Sequence, residues 1–116
     1  MNKAQAFKWC NGFFEVIDAT YDHKLELKEV GFFEQKDAPG VWGAYIHRTK
    51  SIYLSEELLS HPTWLRTVFN HELTHLVFSQ LFKKKGERHH KMISFWRLTH
   101  NHGLRYHSAT LQGFVK

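Results

Sequence analysis

The 116-residue chain contains a single cysteine, Cys10. One thiol excludes an internal disulfide framework and a cysteine-built zinc ribbon, and it suits a reducing cytoplasm. No apolar run approaches the roughly 20 residues needed to cross a bilayer. The N-terminal Met1-Asn2-Lys3-Ala4-Gln5 lacks the apolar core of a secretory signal, so a cytoplasmic setting is expected. Internal repeats, low-complexity tracts and linkers are also missing. Residues 1–116 therefore read as one domain, long enough for one core and not for two. Any metal chemistry has to rest on histidine and carboxylate.

Histidine is abundant, with ten in the chain. Two of them frame His71-Glu72-Leu73-Thr74-His75, an H-E-x-x-H pattern inside a stretch with helical periodicity. At i and i+4 the two imidazoles fall on one helix face, a turn apart, where both reach the same metal ion. Glu72 then projects beside the metal, placed to take a proton from a water that the metal polarises. These residue types in this pattern point to a zinc hydrolase. Imidazoles with a carboxylate base favour Zn²⁺, although Co²⁺, Mn²⁺ or Ni²⁺ fit such a site in vitro.

Charge is unevenly spread. Residues 1–82 carry eight Lys/Arg against ten Asp/Glu, whereas residues 83–116 carry eight Lys/Arg against Glu87 alone. Five histidines lie in this basic end as well. Lys83, Lys84, Lys85, Arg88 and Lys91 make DNA a candidate partner through its phosphates, with a solubilising surface as the plainer and preferred reading of such a charge run.

Apolar residues at Phe7, Cys10, Phe13, Phe14, Ile17 and Tyr21 predict an amphipathic helix from Lys3 to about Thr20. Residues 25–33, 41–47 and 51–54 read as three strands, separated by an Ala38-Pro39-Gly40 turn and a tight Arg48-Thr49-Lys50 turn. Ser55, ahead of Glu56 and Glu57, reads as the cap of a short helical turn. The motif helix starts at His61-Pro62-Thr63. At roughly 100° per residue, Trp64, Val68, His71, His75 and Phe82 share one sector, and Leu65, Phe69, Glu72, Leu73 and Leu76 fill the next. Arg66, Thr67, Asn70 and Thr74 take the remaining side, with Asn70 expected in solvent. A helix apolar around most of its girth is a central one. A loop over Lys83–Arg88, a helix from His89 to about His100 and a last short helix or coil from Leu104 to Phe114 complete the reading. The fold class is α+β: an N-terminal helix, a small three-stranded antiparallel meander, the central H-E-x-x-H helix and one or two C-terminal helices.

Catalytic zinc takes a third protein ligand and leaves a fourth position for water. His89, His90, His100, His102 and His107 are the candidates, and His89 and His90 stand just beyond the loop, at a helix start facing back. Tyr45, Tyr53 and Tyr106 are read as core tyrosines before oxyanion donors, and Trp42, Trp64 and Trp96 as core before base-stacking platforms. Cys10 reads as a small core residue.

From about Phe7 onward the chain resembles the SprT-like (Spartan-type) zinc metalloproteases, which have a minigluzincin fold. The resemblance rests on the helix–meander order, on Gly43-x-Tyr45 with Ile52-x-Leu54, and on Leu65-x-x-Val68-x-x-His71-Glu72-Leu73-x-His75. It implies a third zinc histidine about fourteen residues past the motif, as His-Gly-x-x-aromatic at a helix start. His90 lies fifteen residues beyond His75, but Lys91 replaces the glycine and the aromatic falls one place late. His102-Gly103-Leu104-Arg105-Tyr106 matches the local pattern better at a longer spacing. Spacing favours His90 and pattern favours His102. His90 is preferred and the choice stays open. The resemblance further implies hydrolysis of peptide bonds, with DNA-associated proteins as substrates. The third strand is expected to be an edge on which an extended substrate adds. The alternative from another class is a non-proteolytic, metal-stabilised module that binds nucleic acid or protein through its basic end.

Overall fold

The computed structural model describes residues 1–81. It opens with α1 (Lys3–Thr20). Asn2 Oδ1 accepts from the Gln5 N–H at 2.8 Å while Gln5 Oε1 accepts from the Asn2 N–H at 2.9 Å. This reciprocal box satisfies two donors that the first turn leaves open. Ala6, Cys10, Phe13, Phe14 and Ile17 form the buried stripe at helical spacing. The helix ends where Asp22 and His23 take positive φ (57° and 58°) and Asp18 Oδ1 accepts the Leu25 N–H at 2.9 Å.

Three strands follow: β1 (Glu29–Phe33), β2 (Gly43–Ile46) and β3 (Ser51–Ser55), in the spatial order β1-β3-β2. β1 runs parallel to β3, with Glu29 opposite Ser51, and β2 runs antiparallel to it, with Gly43 opposite Leu54. The sheet is thus mixed, which corrects the expected antiparallel meander. The reason lies in the connections. Between β1 and β2 the chain makes a 3-10 turn (Gln35–Asp37) and then a Pro39-Gly40 turn, with Gly40 at φ 81° and the Val41 N–H on Ala38 O at 3.1 Å. That link is too long for a hairpin and sets β2 one strand away from β1. The tight His47–Lys50 turn (Lys50 N–H to His47 O, 3.2 Å) then sends β3 back into the gap.

β3 is consequently the central strand and not an edge, a second correction. Its burial agrees: Ser51, Ile52, Leu54 and Ser55 are all buried, as a strand flanked on both sides requires. Strand β1 begins at Glu29 rather than Leu25, because Asp18 and the Gln80 amide hold the backbone of Leu25 and Glu26 in place of a ladder.

Ser55 caps a short 3-10 turn (Glu56–Ser60), its Oγ accepting from the Glu57 N–H at 3.3 Å. Helix α2 (Pro62–Leu81) starts with Pro62, whose missing N–H has no intrahelical partner to lose. Both helices lie against the sheet and each other. Trp9 stacks on Phe13 at 5.0 Å and meets Phe69 edge-on at 5.8 Å, while Ile52 and Leu54 of β3 complete the core. Trp42 and Trp64 pack against this core, half-buried. The polar side of α2 is enclosed too: Thr67, Asn70 and Thr74 are at most 4% exposed. Asn70 is therefore not solvent-facing, and the threonine hydroxyls bond back to the carbonyls of Thr63 and Asn70. Among the described residues no helix is long and apolar enough to cross a membrane. The loop, helices and aromatic residues expected after Phe82, Trp96 and Tyr106 included, lie outside the described residues.

Candidate metal centre

Helix α2 carries the motif in its middle, so the backbone around His71 and His75 is held by bonds from turns on either side. His71 and Glu72 are buried and His75 is half-buried. The two imidazoles converge: His71 Nε2 and His75 Nε2 stand 3.2 Å apart, with the rings inclined at 79°. Two nitrogens at Zn–N lengths of roughly 2.0–2.1 Å in a tetrahedral shell stand about 3.3 Å apart. The pair therefore already has the separation a shared zinc ion needs, and neutral imidazole is the right donor type for it.

Glu72 leaves the helix beside the pair and lies against β2. A Cβ built on Gly43 would come within 2.6 Å of Val68 Cγ1, 3.2 Å of Glu72 Cγ and 3.4 Å of Glu72 Oε2. The missing side chain at Gly43 thus lets β2 lie directly on the carboxylate. An interior strand glycine signals close approach, but its target emerges only from the packing of β2 on α2.

Further along, β2 and α2 are joined by polar contacts. Ser79 Oγ meets His47 Nδ1 at 2.8 Å, Tyr45 Oη meets the same nitrogen at 3.2 Å, and Gln80 Nε2 donates to Tyr45 Oη at 3.1 Å. Gln80 also clasps both backbone groups of Glu26 at 2.8 Å. Burial, more than any neighbour, pushes the Tyr45 hydroxyl above the ordinary tyrosine range. Tyr45 is thus half-buried, packed against the core and tied through its hydroxyl to the end of α2. Tyr53 is at the surface, where its hydroxyl donates to Glu29 Oε1 at 2.7 Å, the main cause of its raised pKa. Neither His47 nor Ser79 was singled out by sequence pattern, since the contact joins residues far apart in the chain.

Among the described residues no group of three His, Cys, Asp or Glu side chains gathers at one point. His89, His90 and His102, the third-ligand candidates, lie outside the described residues, as do Lys83, Lys84, Lys85, Arg88 and Lys91.

The assembly defines a class: an α+β fold whose central helix presents two histidines and a glutamate beneath the end strand of a mixed sheet. The chain matches the SprT-like family over residues 10–110, most of its length, and belongs to that family. No curated protein and no solved structure matches it.

Proposed function

We propose that the protein is a zinc-dependent metallopeptidase, residues 1–116 forming a single such domain that works in the cytoplasm. The observation that carries the reading is the 3.2 Å convergence of His71 and His75 with Glu72 beside them. Family membership supports it. His71, His75 and a histidine of the basic end, His90 preferred over His102 and His89, would hold the Zn²⁺. When bound, zinc supplies Lewis-acid polarisation and brings the pKa of a water toward neutrality. Glu72 accepts the proton of the attacking water and delivers it to the departing amine. Burial at 9% exposure shields that carboxylate from competing solvent.

The substrate backbone is assigned to the outer edge of β2. Trp42 O accepts from the Ser55 N–H, so alternation along the antiparallel pair turns the peptide groups of Gly43 and Tyr45 away from β3. Among the described residues no strand covers that side. An extended peptide added there would run past Glu72. The basic residues 83–116 support DNA-associated proteins as substrates.

Glu72→Gln tests the reaction. The zinc-loaded variant is expected to keep its fold and metal while hydrolysis of protein substrates falls by roughly 10²–10⁴-fold. Undiminished function in that variant would instead favour a metal-stabilised binding module.

A further inference from the structure

We infer that Gly43 is a positioning residue for Glu72, fixing the general base against the strand that receives the substrate. The inference rests on the role proposed above for Glu72. Two properties meet at this one position. Its peptide groups face the outer edge of β2, where a substrate backbone would pair. Its Cα faces α2, close enough that an added methyl group would crowd Glu72 Cγ at 3.2 Å and come into contact with Oε2 at 3.4 Å. A methyl group there would thus shift the Glu72 stem by a few tenths of an ångström relative to the edge that sets substrate register. Tyr45 and His47, two and four residues on, hold the rest of the strand to Gln80 and Ser79. Strand β2 cannot swing away from α2 as a rigid body without breaking those contacts, so the displacement falls on the side chains it meets, Val68 and Glu72.

The methyl group of alanine also meets Val68 Cγ1 at 2.6 Å. A plain Gly43→Ala variant therefore mixes core strain with the effect of interest. The informative comparison is Gly43→Ala/Val68→Ala against Val68→Ala, in which the valine methyl groups are gone from both chains. Crystal structures of the two variants of the 116-residue chain provide a readout independent of activity. Glu72 is expected to shift by a few tenths of an ångström in the double variant while β2 stays in place. Zinc-loaded chains are then compared on fluorescein-labelled casein. The expected result is a kcat about three- to tenfold lower in the double variant, with KM and zinc affinity unchanged.

Glu72 superimposing in the two structures, with β2 moved instead, overturns the inference. A displaced Glu72 with unaltered kcat overturns it equally. Casein left intact by the zinc-loaded wild-type chain counts against the peptidase reading, and the crystallographic comparison still decides whether Gly43 places Glu72.

Discussion

Cys10 has no exposed surface on the inner stripe of α1, and burial pushes its thiol up to about 12. The unfolded thiol titrates near 9.0. Below pH 9 both states keep the proton and stability is unaffected by this group. Between about pH 9 and 12 only the unfolded chain releases it, so folding stability falls by about 1.4 kcal/mol per pH unit. Denaturant titrations across this window are expected to show a shallower alkaline loss for Cys10→Ala than for the wild type. Parallel curves would contradict the buried thiol. Residue types alone revealed much at this scale: a lone cysteine on an apolar helix face reads as core, and H-E-x-x-H puts two imidazoles on one face by the helical period. Asn70 departs from the pattern because periodicity assigns polar residues to solvent, whereas α2 is enclosed on that side also. The reach of Gly43 to Glu72 was hidden because a sequence carries no distance between β2 and α2.

At the scale of elements, helices were legible and strand order was not. Helix α1 and the Ser55 turn are set by local signals, a capping box and a side-chain cap, and both stand where the pattern places them. Strand pairing depends on where a connection lands, and the Gln35–Gly40 segment lands β2 beyond the place that β3 takes. Among the described residues the uncovered edge near Glu72 therefore belongs to β2, the edge proposed to receive the substrate. Proline at Tyr45 removes an outward N–H without breaking the ladder to β3, a substitution that edge strands tolerate. Tyr45→Ala controls for the loss of the hydroxyl contacts. Kinetics on a peptide substrate should show KM about three- to tenfold higher for Tyr45→Pro than for Tyr45→Ala, the worth of one hydrogen bond. Equal KM values would remove β2 from substrate binding.

Over the whole molecule the charges divide at residue 82, with a net −2 before it and +7 after it. Binding of phosphate backbones by such a basic end would release counterions, and the affinity for DNA is then expected to fall steeply with salt. Neutralising Lys83, Lys84 and Lys85 to glutamine is expected to lower the slope of log K against log salt by about 3. A flat dependence in the wild type would leave the lysines as solubilising surface. That same end holds the histidines proposed to complete the metal site, so one segment would both finish the centre and bring the substrate to it. The central claim, that His71 and His75 share a catalytic zinc, is tested most directly by anomalous diffraction at the zinc edge from zinc-loaded crystals. A single peak is expected between the two Nε2 atoms, about 2.0–2.1 Å from each. No peak there, with zinc bound elsewhere or not at all, would contradict it.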